Sequence, residues 1–224
     1  MKKPFCKACH NEKLGIKTRI AAPHTCELAF VFERHSGNYQ KVTSVNDGLF
    51  NTVSGEVVSI DRPTIHQLHI LDIANALSKI CRFGGHVDDF YSVAQHSVLV
   101  AAMAPFQLRK AALLHDASEA YLGDIIKPLK VKLRAYNEIE DRFQSVIAQL
   151  FDIPEPDFEQ VKYYDIQALE IEHQMLQRGR PANFRYIMND LRLPGRPLLP
   201  NAARALFMSH YYRLFTPETT TIEA

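Results

Sequence analysis

The sequence predicts an all-α protein, and three observations carry that prediction. From about residue 65 onward, apolar residues recur at helical spacing through most of the 224-residue chain. The breaks between these stretches hold paired glycines or prolines, as in "RFGGHVDDF", "DIPEPD" and "LRLPGRPLLP". Against them stands a single small strand signal, "NTVSGEVVSI", near residues 51–60.

The elements follow in order. "IHQLHILDIANALSKI" places Ile65, Leu68, Ile73, Ala76, Leu77 and Ile80 near one side of a first helix. The glycine pair Gly84-Gly85 ends it. "SVAQHSVLVAAMA" forms a second helix, with Ser92 in position to cap its start. Pro105 marks the next boundary, and "FQLRKAALLHDASEAY" reads as a third helix. After "GDIIKPLK" come a long amphipathic stretch at about 132–151, a proline turn, and another long helix at about 157–178 that stops at Gly179 and Pro181. The proline-rich "LRLPGRPLLP" is an extended connection, and "NAARALFMSHYYRLF" is the last helix. Neither a repeat nor a low-complexity tract is present.

The bulk numbers bound the function. A hydrophobic share of 46% is that of a globular chain with a core, and the length suits one domain with a small appendage. A formal net charge of +1 gives no field for a polyanion or an acidic membrane surface. The four cysteines, Cys6, Cys9, Cys26 and Cys81, are too few and too lopsided for a disulfide scaffold. No apolar run approaches a membrane span, and no signal peptide is readable, so the expected location is the cytoplasm.

Ionisable residues interrupt the apolar helices. His96 lies among Val93, Leu99 and Val100; His115 and Asp116 close the "ALLHD" run; Asp165 sits in "VKYYDIQALEIEH". Alone, His96 reads as a core histidine and Asp165 as a solvated helix acid. Burying such groups unpaired would cost several kcal/mol each, about the desolvation penalty of a polar group. Two imidazoles and two carboxylates meeting from three helices would instead make a mixed nitrogen–oxygen site for Mn²⁺, Co²⁺, Fe²⁺, Ni²⁺ or Zn²⁺, with Mg²⁺ less suited. Glu119, three residues past Asp116, lies on the same face if the helical turn continues.

The stretch "YSVAQHSVLVA…AALLHDASEAYLGDIIKPLK…VKYYDIQALEIE" resembles the HD-domain metal-dependent phosphohydrolases, whose pattern is H…HD…D. "IANALSKICRFGGHVDDFYSVAQHS" and "LLHDASEAYLGDIIKPLK" are similar to the phage- and prophage-type 5′-deoxynucleotidases and to phage dATP triphosphohydrolases. The likeness runs from about residue 52 to 215. It implies an HD-domain helical bundle over residues 51–216, preceded by an extension over 1–50 and followed by a tail over 217–224. It implies that His96, His115, Asp116 and Asp165 hold the metal. Glu119 would orient or deprotonate the attacking water, and Asp124 would hold that water or protonate the leaving oxygen. Arg82 would clamp phosphate. Lys130 is a further phosphate candidate, more useful for a substrate with several phosphates, and His86 would touch phosphate or line the mouth. It also implies a homo-oligomer, dimer or hexamer, and a phage- or prophage-encoded protein acting in the host cytoplasm.

Residues 1–50 have no counterpart in that pattern. "FCKACHNEK" spells a haem attachment motif, but that chemistry follows export. Cys6, Cys9 and Cys26 with His24 or His10 offer a structural zinc site, although His24-x-Cys26 departs from the usual two-residue gap. The plain alternative is an extension whose cysteines are incidental.

The leading expectation is therefore hydrolysis of deoxynucleotide phosphoesters: dNMP to deoxynucleoside and phosphate, or dATP to deoxyadenosine and triphosphate. The alternatives are a non-catalytic nucleotide sensor with an HD fold, or a zinc-knuckle nucleic-acid-binding protein. The intact donor set argues against the first, and the near-zero net charge against the second.

Overall fold

The structure, a computed structural model, describes residues 48–176 and 183–216. All of them belong to one compact unit, Val42–Ala224. The cysteine–histidine set Cys6, Cys9, His24 and Cys26 lies outside the described residues, as do the tail 217–224 and any stop signal at Gly179 and Pro181.

The described chain is mostly helical. It opens with a two-stranded antiparallel hairpin, β1 (Leu49–Asn51) and β2 (Val57–Ser59), in the register Phe50 opposite Val58. The first helix, α1, is Ile70–Leu77, shorter than its apolar period suggests. Residues 61–69 are given over to turns that dock the hairpin. The Asp72 carboxylate accepts hydrogen bonds from the Ser54 backbone N–H at 2.9 Å and from its hydroxyl, and Gln67 donates to the Val57 carbonyl at 2.9 Å. These partners compete with helix formation and win.

α2 (Val93–Met103) is the centre of the fold. Ser92 caps it, accepting from the Gln95 N–H at 3.2 Å. It is buried on nearly every side, as an all-round apolar helix must be. Its polar side chains are consequently all engaged. Ser97 donates to the Val93 carbonyl at 3.0 Å, while Gln95 donates to the Arg196 carbonyl at 2.9 Å and accepts from the Leu198 N–H at 2.8 Å. Gln95 thus pins the extended "LRLPGRPLLP" segment against the core.

The third predicted helix is split. α3 (Arg109–Leu114) buries Ala111, Ala112, Leu113 and Leu114, and a turn over 115–118 then leads into the short α4 (Glu119–Leu122). The short α5 (Lys127–Lys130), which the sequence reading did not include, is followed by α6 (Arg134–Leu150) and α7 (Glu155–Leu176), close to the expected ranges. α8 (Asn183–Asp190) has no counterpart in the sequence reading, and α9 (Pro200–Phe215) matches the last predicted helix. α3, α7 and α9 pack around α2. The core they share contains Leu99, Leu113, Leu114, Ile147, Met175 and Phe207, all essentially sealed from water. Among the described residues no helix is long and apolar enough to cross a membrane.

Candidate metal centre

Three elements deliver the charged groups. His96 projects from the first turn of α2, His115 and Asp116 from the turn that ends α3, and Asp165 from the middle of α7. His96, His115 and Asp116 form a group that could hold a metal ion. Asp165, 39% exposed at its side chain, lies beside this group, with Oδ1 3.1 Å from His96 Nε2 and 3.8 Å from His115 Nε2.

The tautomers decide what this group can do. His115 Nδ1 lies 2.8 Å from the Ala112 carbonyl, which can only accept, so Nδ1 carries the hydrogen. His96 Nδ1 lies 2.7 Å from Glu172 Oε1, and Glu172 Oε2 accepts from Arg82 Nε at 3.0 Å. That carboxylate is an acceptor at both oxygens, so His96 Nδ1 donates too. Each ring therefore turns an Nε2 lone pair inward. The two Nε2 atoms are 3.3 Å apart; His96 Nε2 is 3.4 Å from Asp116 Oδ2, and His115 Nε2 is 3.2 Å from Asp116 Oδ1. Lone pairs at such distances repel unless positive charge lies among them, either as ring protons or as a shared cation.

The chemistry of the set fits a cation. Donors about 2.1 Å from one ion lie about 3.0 Å apart at right angles and about 3.4 Å apart in a tetrahedron, and the observed spacings cluster there. Ring protons are the alternative source of that positive charge. Burial and Arg82 oppose a charge on His96, but Glu172 and Asp165 hold its pKa above the ordinary imidazole value. Burial likewise opposes a charge on His115, and Asp116 and Asp165 raise it well above that value. Burial works against ionised Asp116, yet His115, His96 and Arg82 keep its pKa well below the carboxylate range.

Arg82 reaches the centre from a tight turn, Arg82–Gly85, in which Phe83, Gly84 and Gly85 all have left-handed backbones. For Phe83, at φ 58°, this costs on the order of 1 kcal/mol. The turn is held by an antiparallel bridge: the Arg82 N–H donates to the Tyr91 carbonyl at 2.9 Å, and the Val93 N–H to the Ile80 carbonyl at 3.1 Å. Arg82 Nη1 comes to 3.7 Å from Asp116 Oδ2. His86 is exposed just past the turn, and among the described residues no hydrogen bond or ion pair joins it to the centre.

Glu119 heads α4, 7% exposed, and its Oε2 is buried with no hydrogen-bond partner. Burial, with Asp116 and Asp124 nearby, pushes its pKa well above the usual range. Such an orphaned buried oxygen needs something to meet. Asp124 follows Gly123 at φ 82°, and burial raises its carboxyl as well, against the pull of Arg82. Lys130, at the end of α5, points its Nζ to Glu140 at 2.6 Å.

Two acids were missed in the sequence. Glu172 is sealed from water and ties His96 to Arg82. Its signal was present: it follows Asp165 by two helical turns, on the same stripe of α7 as the buried Ala168 and Met175. Glu140 gave no such signal, because it stands between Glu138 and Asp141, both exposed.

Comparison with known proteins adds relatives. The chain is 42% identical over 125 residues, 56% of its length, to the Escherichia coli (strain K12) protein called "Uncharacterized protein YfdR", and spans 70% of that protein. The chain belongs to the YfdR family. A second relative, an uncharacterized protein of Rhodobacter capsulatus, is 37% identical over 112 residues, 46% of this chain and 57% of the relative. No protein-family model matches the chain. Neither relative's name states an activity.

Proposed function

We propose that this protein is an HD-type, metal-dependent phosphohydrolase acting on deoxynucleotides. One observation carries the reading: two imidazoles with their Nδ1 hydrogens tied elsewhere turn Nε2 lone pairs toward each other, 3.3 Å apart, and toward Asp116 and Asp165. The orphaned Glu119 oxygen beside them, and a buried guanidinium, supply the remaining needs of phosphoester hydrolysis.

His96, His115, Asp116 and Asp165 would hold the cation. When bound, it supplies a water of lowered pKa and positive charge for a phosphoryl oxygen. Glu119 Oε2 accepts the proton of the attacking water, within the same buried pocket of charge. Arg82, oriented through its Nε by Glu172, turns its remaining N–H donors toward the non-bridging oxygens. Asp124, which Asp116 and Arg82 both act on electrostatically, would hold that water or give a proton to the leaving oxygen.

The experiment is a panel of deoxynucleoside mono- and triphosphates incubated with purified protein and Mn²⁺, Co²⁺, Ni²⁺, Zn²⁺ or Mg²⁺, reading released phosphate and triphosphate. Metal-dependent release that disappears in Asp116→Ala is the expected result. A panel without release from any nucleotide, on protein shown to bind metal, would end the reading.

A further inference from the structure

Lys130 and Glu140 form a close, part-buried ion pair. Lys130 Nζ lies 2.6 Å from both Glu140 oxygens and 5.8 Å from the centre of the Tyr136 ring. Tyr136 and Glu140 are four residues apart on α6 and so share a face. The Tyr136 hydroxyl donates to the Gly123 carbonyl at 2.9 Å, next to Asp124. The ammonium is thus caged, half-buried, between an aromatic ring and a carboxylate, and Tyr136 ties the cage to the segment that carries Asp124. Glu119 and Asp116 both act on Lys130 electrostatically.

The charge balance around this cage is one-sided. Asp116 and Asp165 stand at the two imidazoles, Glu119 and Asp124 act on Asp116 electrostatically, Glu172 backs His96, and Glu140 holds Lys130. Among the described residues the permanent cations acting on these acids are Arg82 and Lys130, and each already has a carboxylate partner. One divalent ion and one guanidinium can balance a dianionic phosphoryl group. A triphosphate would bring further negative charge into a surround of acids, where Arg82 and Lys130, among the described residues, are already committed to carboxylates.

We infer that Glu140 is a positioning residue that sets substrate class: by holding Lys130 it limits the site to nucleoside monophosphates. The inference rests on the phosphohydrolase reading for its chemistry, but its charge argument concerns anion binding and can be tested without turnover. Glu140→Gln keeps the shape and removes the charge, leaving Lys130 free to turn toward added phosphates.

The test compares wild type with E140Q in two measurements. The first is calorimetric binding of inorganic phosphate and of tripolyphosphate to metal-loaded protein at fixed free metal. The second is kcat/KM for a deoxynucleoside monophosphate and its triphosphate. The tripolyphosphate-to-phosphate affinity ratio should rise about tenfold or more in E140Q, and fall back in the double variant E140Q/K130M, as expected for one released charge. Glu140→Asp, which retains the charge, should stay near the wild-type ratio. Wild type should turn over the monophosphate better than the triphosphate, with E140Q narrowing the gap mainly through KM of the triphosphate. An unchanged affinity ratio in folded E140Q overturns the inference whether or not turnover is seen. If E140Q does not fold, a wild-type enzyme that prefers the triphosphate overturns it. Absence of turnover on every nucleotide removes the phosphohydrolase reading, while the polyphosphate ratio still decides the role of Glu140.

Discussion

His96 Nδ1 lies 2.7 Å from Glu172 Oε1, a carboxylate fully sealed from water and also bound to Arg82. This contact fixes which nitrogen of His96 faces the centre and ties the imidazole to the guanidinium. Glu172→Gln, which can no longer hold both donors equally, should weaken divalent-metal binding by about 10–100-fold, the usual cost of losing the partner that orients a metal-binding histidine. Titration calorimetry with Mn²⁺ or Co²⁺ reads this directly; an affinity equal to wild type would reduce Glu172 to a packing role.

Metal should stabilise the fold. At a free concentration a hundred times its Kd, an ion that binds only the native state adds about 2.7 kcal/mol. Differential scanning fluorimetry should show Tm rising with added metal and dropping again with chelator. Asp116→Ala should abolish the shift, and a shift of the same size in that variant would place the ion elsewhere.

Glu119→Gln should act with opposite signs on activity and stability. Removing the base should slow hydrolysis by at least ~100-fold with metal still bound. The apo protein should become slightly more stable, since a buried carboxyl repelled by Asp116 and Asp124 is replaced by a neutral amide. Retained turnover would take Glu119 out of the mechanism.

A pH effect arises away from the centre. His210 on α9 accepts from Arg213 Nη2 at 3.0 Å through Nδ1. Burial, then Arg213 and Arg109, depress its pKa from 6.5 to about 4. Between these values the unfolded chain binds more protons than the folded one, so His210 removes stability as pH falls from about 6.5 to about 4. Solvent screening reduces the effect to about 1 kcal/mol. Denaturant melts at pH 7.5 and 4.5 should show a smaller acid loss in His210→Gln than in wild type; equal losses would dismiss this histidine as a source.

Much of the helical order could be read from the chain, because helical periodicity and capping are local. Ser92 caps α2 as its spacing suggests, and α6, α7 and α9 fall near their expected bounds. Where local pattern met a tertiary competitor, it gave way. The apolar period over 65–80 yields only Ile70–Leu77, because the turn before it docks the hairpin on Asp72. The run through "ALLHDASEAY" breaks at His115, whose side chain turns back onto the Ala112 carbonyl.

By itself the sequence determined the helical class, the boundary at Pro105, and the ionisable residues worth watching, since each depends on neighbours within a few positions. Only the tertiary structure decided that residues 69 positions apart, His96 and Asp165, stand 3.1 Å from each other, that Glu172 lies behind them and that Glu140 has captured Lys130. Those distances follow from how α2, α3, α6 and α7 pack. Helical spacing says which face a side chain occupies, and packing says what that face meets.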